Sequence, residues 1–146
     1  DRAATLSVYF DSSAFVKLLL DEPGATEVRR TWSGASSRSA SVVLLAEGRA
    51  AIAAARRGGR IDDLGHGEAL LTFERLWVEI DGLEVTESLA RRAGELADTC
   101  ALRGYDAIHL ASAEAILDDG DVMVVSDERL AEAAASIGIE ALVPVE

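Results

Sequence analysis

The sequence predicts an α/β fold in which helices flank a mainly parallel central sheet. Short β-rich runs alternate with longer helical segments, and the run at 122–125 is apolar throughout, as in a strand buried on both faces. The chain has 146 residues, 49% of them apolar, and no linker, repeat or low-complexity tract interrupts it. These features predict one compact domain over residues 1–146 with a sizeable core.

Turn and capping residues bound the elements of the first half of the chain. An apolar run ends at Asp11, Ser12 is the candidate cap of the helix that follows, and Pro23 stops that helix. Gly58 stops a long alanine-rich helix, after which Asp62 opens another. In chain order we expect a strand at 6–10, helices at 12–21 and 25–32, a Ser-rich link, helices at 43–57 and 62–77, and a strand at 77–85.

The second half of the chain continues the alternation. Thr86 begins a helix that Gly104 ends, and Asp106 lies in the first turn of the next one. The elements expected are helices at 86–102 and 105–117, a strand at 122–125, a helix at 126–138 and a strand at 139–145. Strands that alternate with helices in this way imply a sandwich around a mainly parallel sheet.

Charge and hydropathy limit the classes of partner. The formal net charge is −12 at pH 7, whereas proteins that grip phosphate backbones usually carry a basic face. The basic residues are nevertheless clustered, for example at 56–60. No apolar run approaches the ~18 residues of a membrane span, no leader peptide is recognisable, and Cys100, as the single cysteine, forms no internal disulfide. We therefore expect a soluble, cytoplasmic protein with no membrane partner.

Four carboxylates are singled out by their positions. Asp11 and Asp127 each follow the C-terminal end of a buried strand, where open α/β sheets place their ligands. Glu47 lies among apolar residues of the alanine-rich helix, and Asp106 lies where a helix dipole favours an anion. Each acid also has an ordinary structural explanation, as a helix cap, a dipole partner or part of a solvated helix face. The two acids at strand ends, however, are expected to converge in space.

Converging carboxylates have a particular chemistry. They repel one another and raise each other's pKa unless cations neutralise them. Magnesium and manganese prefer such hard oxygen ligands. A cluster of this kind suits phosphoryl chemistry, because the metal polarises the phosphate and lowers the pKa of a bound water.

The segments around these acids resemble the four motifs of PIN-domain toxins of the VapC type. Their order and spacing match over nearly the whole chain, from about residue 8 to residue 143, and the third segment is the most specific. The segments are VYFDSSA at 8–14, LLAEGRA at 44–50, LRGYDAIHLASA at 102–113 and VVSDERL at 124–130.

The resemblance implies a fold, a site and an activity. The fold is a PIN-like three-layer sandwich, and the metal-binding, catalytic quartet is Asp11, Glu47, Asp106 and Asp127. The implied cofactor is Mg²⁺ or Mn²⁺, and the implied reaction is endonucleolytic cleavage of RNA by metal-activated water, which leaves a 5′-phosphate. Members of the family usually form homodimers and are held inactive by a cognate antitoxin protein.

Other residues are candidates for supporting roles. The hydroxyls of Ser13 and Ser126 lie beside two of the acids and are placed to hold a metal-bound water or a phosphate oxygen, with turn hydrogen bonding as the alternative. His109 is interpreted as a partly buried, hydrogen-bonded helix residue rather than a general base. Candidates for RNA binding, with a solvated helix end as the alternative, are Arg49, Arg56, Arg57 and Arg60.

Two other classes of function stay open at this point. A HAD-type phosphatase also has an Asp after its first strand, but its second Asp is replaced here by Ser13, and the only lysine, Lys17, lies within the first helix. A non-catalytic PIN-like interaction domain would bind its partner and cut nothing. The motifs also barely separate RNA from DNA, because metal-dependent hydrolysis does not need the 2′-hydroxyl.

Overall fold

The computed structural model describes residues 6–145, which form a five-stranded sheet between two layers of helices. All four strand pairings are parallel, and the strand order is β3-β2-β1-β4-β5. The strands are β1 (Ser7–Phe10), β2 (Ser37–Ser41), β3 (Asp81–Leu83), β4 (Val122–Val124) and β5 (Glu140–Leu142). The helices are α1 (Ser12–Val16), α2 (Ala25–Gly34), α3 (Leu44–Arg57), α4 (Asp63–Trp77), α5 (Glu87–Cys100), α6 (Gly104–Ile116) and α7 (Glu128–Ser136). The predicted α/β sandwich is confirmed.

The central strand β1 separates two hydrophobic cores. Side chains alternate between the faces of a strand, so Val8 and Phe10 pack on one side and Tyr9 on the other. The neighbouring strand β4 repeats the pattern, with Val124 on the first side and Met123 on the second. Helices α1 to α4 cover the first face, and α5 to α7 cover the second. Both faces of β1 are buried from Val8 to Phe10, which explains the apolar run at these positions.

The first helix is shorter and differently capped than predicted. Asp11, not Ser12, is its N-cap, and the Asp11 carboxylate accepts the N–H of Ala14 at 2.7 Å. Ser12 is already helical, and its hydroxyl bonds elsewhere. The helix ends at Val16 instead of near residue 21, because the next backbone N–H groups, beginning with Lys17, bond carbonyls only three residues back.

The Ser-rich link contains a strand that the sequence does not predict. Strand β2 pairs with β1 from Ser37 to Ser39, and its residues Ala40 and Ser41 are fully buried. Serine and alanine have low intrinsic strand propensity, so here the tertiary position decides the structure. The two outer strands are shorter than predicted, β3 covering three residues of 77–85 and β5 three of 139–145. Short edge strands expose few unpaired backbone groups.

The sheet order fixes where ligands are expected. Strand β1 has β2 on one side and β4 on the other, so the chain leaves β1 and β4 in opposite directions from one edge. The N–H of Asp11 donates to the carbonyl of Val124 at 3.0 Å, which holds the two strand ends together. Open α/β sheets bind ligands at such a switch point. Within residues 6–145, no helix is both long and apolar enough to cross a membrane.

Candidate active site

Asp11 lies at the base of the site, directly after β1. It is 4% exposed and accepts a hydrogen bond from the backbone N–H of Ala14 at 2.7 Å. Burial is the main reason why the pKa of this carboxyl is raised to about 6; the carboxylate of Asp106 also raises it, whereas His109 and the backbone N–H groups of Ala14 and Ser126 oppose the rise. A buried acid with a raised pKa at a ligand-binding edge is a typical functional-site feature.

Glu47 projects from the first turn of α3 and is held by two side chains. Its Oε1 lies 2.5 Å from Ser12 Oγ and 2.9 Å from His109 Nε2. Partial burial opposes ionisation, but the hydrogen bonds from His109 and Ser12 outweigh it and hold the pKa of Glu47 below its ordinary value. This carboxylate is therefore charged and fixed in position, and it is not on a solvated helix face with Arg49.

His109 connects Glu47 to the interior of the sheet. Its Nδ1 lies 2.8 Å from the hydroxyl of Tyr9, and its Nε2 lies 3.0 Å from Ser12 Oγ. The ring is 2% exposed. The hydrogen-bonded role predicted for His109 is confirmed, and the residue is more deeply buried than expected. Burial and these bonds leave no ring nitrogen facing solvent, which opposes a general-base role.

Asp106 lies in the first turn of α6, as predicted, and lines a surface cleft. Its side chain is 25% exposed, and its Oδ2 lies 3.5 Å from Arg103 Nε. Asp106 and Glu47 line one cleft of about 640 Å³, together with Arg103 and Tyr105. The Asp106 carboxylate also contributes to the raised pKa of Asp11.

Asp127 is placed differently from the other three acids. Its side chain is exposed, and its Oδ1 accepts the N–H of Arg129 at 3.0 Å as the N-cap of α7. Its neighbour Ser126 lines a second cleft of about 400 Å³. Asp127 thus lies at the same edge of the sheet, but its carboxylate is used to cap its own helix.

The two clefts meet at Ser13 and Glu47, which line both of them. The smaller cleft also contains Lys17, whose Nζ lies 3.8 Å from Glu22 Oε1. Ser13 is exposed, so its hydroxyl is available to a ligand. Glu47 therefore has a cation on each side, Lys17 in the smaller cleft and Arg103 in the larger one.

The arginines predicted to bind RNA lie outside these clefts. All four are exposed, and Arg60 contacts the site only through Glu22, at 3.2 Å. Arg56 pairs with Asp63 at 3.8 Å near the end of α3. The cations that do line the clefts, Lys17 and Arg103, are not singled out for binding by the sequence. The sequence does contain an indication for Arg103, because it lies three residues before Asp106 at the start of a helix and can therefore lie beside that acid.

Three further residues of the site escape sequence reasoning. Ser12 is interpreted as a cap, yet it binds Glu47. Tyr9 is part of the apolar run of β1, and nothing in the sequence indicates that its hydroxyl contacts His109. Tyr105 lies within the segment 102–113 but is not singled out there, and it is 61% exposed in the larger cleft.

The chemistry of this edge of the sheet fits a hard divalent cation. Asp11, Glu47 and Asp106 supply carboxylate oxygens from three separate elements, and the repulsion between Asp106 and Asp11 favours a bound cation. Ser126 Oγ is buried and has no hydrogen-bond partner among the described residues. In the side-chain positions found over 6–145, no three His, Cys, Asp or Glu residues form a ready metal-binding group. Use of the full quartet therefore requires side-chain movement, above all at Asp127.

Known proteins match the chain over most of its length. The family model of the PIN domain matches residues 8–136, a range that contains all four acids. Ribonuclease VapC45 of Mycobacterium tuberculosis (strain CDC 1551 / Oshkosh) is 41% identical over 131 residues, which cover 90% of this chain and 91% of the relative.

Solved structures share the fold at low sequence identity. PAE2754 from Pyrobaculum aerophilum has a TM-score of 0.69 and 19% identity, covering 94% of this chain and 91% of that one. A chain of a toxin-antitoxin complex from Klebsiella pneumoniae has a TM-score of 0.65 and 17% identity, covering 95% of this chain and 98% of that one. At these identities the likeness concerns the fold alone.

Proposed function

The chain belongs to the PIN-domain family and has VapC-type relatives, and from this premise we propose that it is a Mg²⁺- or Mn²⁺-dependent endoribonuclease, the toxin of a bacterial toxin–antitoxin pair. The relative at 41% identity is named a ribonuclease, which supports RNA as the substrate over DNA. Family membership also sets aside the HAD-type phosphatase as an alternative.

One observation carries the proposal: acids from three elements lie around the switch point of the sheet. Asp11 is buried there with a raised pKa, Glu47 is ionised and fixed by two donors, and Asp106 faces the same cleft as Glu47. A structural ion-pair network would pair each acid with a cation, whereas among the described residues neither Asp11 nor Glu47 forms an ion pair with a lysine or an arginine, and Lys17 pairs with Glu22 instead. The arrangement favours a bound metal ion over a purely structural role.

The residues that would hold the cation are Asp11, Glu47, Asp106 and Asp127, the last of which caps α7 in this structure. When bound, the metal would polarise the scissile phosphate and lower the pKa of the attacking water. Ser126 Oγ and Ser13 Oγ would bond a ligand oxygen, since the first is buried with no hydrogen-bond partner among the described residues and the second is exposed at the junction of the clefts. The chain's own residues would thus bind the cation through carboxylates and hold a ligand oxygen through serine hydroxyls.

The substrate path that we propose runs along the two joined clefts. Arg103 and Lys17 lie on opposite sides of Glu47 and offer a positive charge to the phosphates on either side of the cut. Tyr105 exposes its ring in the larger cleft, where an unpaired base can stack on it. These local cations would allow the clefts to bind phosphate groups although the net charge of the chain is −12.

A protein partner follows from the same family assignment. One structural neighbour is a chain of a toxin-antitoxin complex, which supports a cognate antitoxin for this chain. We also propose a homodimer and a cytoplasmic location, as for a toxin that meets its antitoxin and RNA in the same compartment.

The direct test is cleavage of total RNA by the purified chain, free of any antitoxin that copurifies. We expect discrete fragments with Mg²⁺ or Mn²⁺, none with EDTA, and none from the Asp106→Asn variant. The matched control is Asp118→Asn, which removes one exposed acid from a turn outside the clefts and should cut like wild type.

Two results would contradict the proposal. Absence of cleavage by folded, metal-loaded protein across several RNA pools would favour a non-catalytic PIN-like interaction domain. Cleavage that survives both EDTA and Asp106→Asn would show that the activity belongs to a contaminant or to another site.

A further inference from the structure

The hydrogen bonds of the His109 ring define which nitrogen donates. Glu47 Oε1 lies 2.9 Å from His109 Nε2, and a carboxylate oxygen accepts hydrogen bonds, so Nε2 is the donor of this pair. At the other side of the ring, the Tyr9 oxygen accepts the N–H of Ser41 at 3.1 Å, which leaves the Tyr9 O–H free to donate to Nδ1 at 2.8 Å. The chain of donors therefore runs from Ser41 through Tyr9 and His109 to Glu47.

The same bonds use up one oxygen of Glu47. Oε1 receives Ser12 Oγ–H at 2.5 Å and His109 Nε2–H at 2.9 Å, which occupies both of its lone pairs. Oε2 has no such bond among the described residues, and Glu47 lines both clefts. The carboxylate is thus oriented with one oxygen toward the interior and the other toward the cleft.

The anchor of this orientation is rigid. Tyr9 and Ser41 are fully buried and His109 nearly so, and they belong to β1, β2 and α6 respectively. The two rings also pack edge to face, with centroids 6.0 Å apart. Groups locked by packing and hydrogen bonds in this way preorganise the side chains that they support.

We propose that His109, backed by Tyr9, is a positioning residue that presents Glu47 to the metal through Oε2 alone. This inference rests on the proposed function, because it assumes that Glu47 is a metal ligand. Loss of a residue that orients a metal ligand typically lowers metal affinity about 10–100-fold, and that range is the expected effect here.

The test is a calorimetric Mn²⁺ titration of three variants. His109→Leu removes both ring nitrogens and should weaken Mn²⁺ binding about 10–100-fold. His109→Gln keeps an N–H donor within reach of Glu47 and should recover most of that loss. Tyr9→Phe frees the ring to change tautomer and should give an intermediate affinity. The matched control is Leu110→Met, a volume-conserving change in the same buried helix that should leave the affinity unchanged.

A second measurement does not depend on metal or on activity. In the metal-free protein labelled with ¹⁵N-histidine, NMR should show His109 protonated at Nε2 and unprotonated at Nδ1. A ring protonated at Nδ1 would overturn the inference, and this holds even where His109→Leu does not fold. Wild type that binds Mn²⁺ no better than His109→Leu would overturn the positioning role alone. A wild type that binds no Mn²⁺ at all would overturn the proposed function as well.

Discussion

Gly48 on α3 lies so close to Phe73 on α4 that a β-carbon built on Gly48 would be 2.5 Å from Cε2 of the ring. The ring is fully buried and packs against Phe15, with centroids 5.4 Å apart, so it has little room to move. Gly48 directly follows Glu47 in the chain. The close approach of these two helices therefore sets the position of α3 and, with it, the position of the Glu47 carboxylate.

Replacing Gly48 with alanine should destabilise the fold. Overpacking a close-packed core typically costs about 1–3 kcal/mol, which exceeds the roughly 1 kcal/mol that alanine gains over glycine in a helix. The control is Gly94→Ala, since Gly94 is also helical and a β-carbon there would meet nothing within 4 Å. Urea unfolding should show a lower free energy of unfolding for Gly48→Ala and an equal or higher one for Gly94→Ala. Equal effects at both sites would contradict the packing described.

The buried Asp11 should make the metal-free protein less stable as the pH rises. Its pKa is about 6 in the folded chain against 3.8 as the ordinary value, so the unfolded chain loses this proton first. Between these two values the free energy of unfolding therefore falls with increasing pH, by roughly 3 kcal/mol in total at this site. Below the lower value both states are protonated and the penalty is absent.

Asp11→Asn removes this pH dependence. In EDTA, the stability of the variant relative to wild type should be greater at about pH 8 than at about pH 4, whatever constant effect the amide has. The control is Asp127→Asn, an exposed position where asparagine caps a helix as well as aspartate does. A relative stability of Asp11→Asn that does not change with pH would show that Asp11 is not the titrating group.

Ser126→Ala separates a ligand contact from a structural one. The Ser126 hydroxyl is buried and has no hydrogen-bond partner within residues 6–145, so its removal should leave the metal-free protein as stable as wild type or more so. Ser112→Ala is the control, because that buried hydroxyl donates to the Ile108 carbonyl at 2.7 Å and its loss should cost about 1 kcal/mol. Thermal unfolding measures both. If Ser126 contributes to the site, its alanine variant should cut RNA more slowly, and unchanged cleavage would remove it from the proposed machinery.

Arg103→Gln tests the substrate path. We expect a higher KM with little change in kcat, and a salt dependence of binding reduced by about one phosphate contact. Arg91→Gln removes an arginine of α5 that pairs with Glu87 on an exposed surface, and it should leave KM unchanged. Equal effects of the two variants would mean that overall charge, and not the cleft, governs RNA binding.

Much of the fold follows from local sequence signals, and its exceptions have physical reasons. The bounds of α3 and α4 agree closely with the alanine-rich pattern, Gly58 and the Asp62 cap. Strand β2 is not predicted because Ser37–Ser41 has neither an alternation of apolar and polar residues nor strand-forming residues. It forms because pairing with β1 places it in a buried position of the sheet. Such a strand is specified by its neighbours, which a single sequence does not display.

The site divides in the same way. Position after a buried strand correctly places Asp11 at the ligand edge, and an isolated acid in an apolar helix correctly draws attention to Glu47. The bonds from Ser12 and His109 to Glu47 join residues 35 and 62 positions apart, and no local pattern encodes them. Asp127 shows the converse, since its capping role is a local signal and its part in a metal site stays a prediction.

The most direct test of the central claim is the chemistry of the RNA ends. With a substrate that the protein cuts, the proposed attack of a metal-activated water on the phosphate, with the 3′-oxygen as the leaving group, predicts a 5′-phosphate and a 3′-hydroxyl. It also predicts that cleavage persists when the 2′-hydroxyl next to the scissile phosphate is replaced by hydrogen, and that it stops in Asp106→Asn. A 2′,3′-cyclic phosphate with a 5′-hydroxyl, lost on 2′-deoxy substitution and retained in EDTA, would contradict the account, because it would assign the attack to the RNA itself.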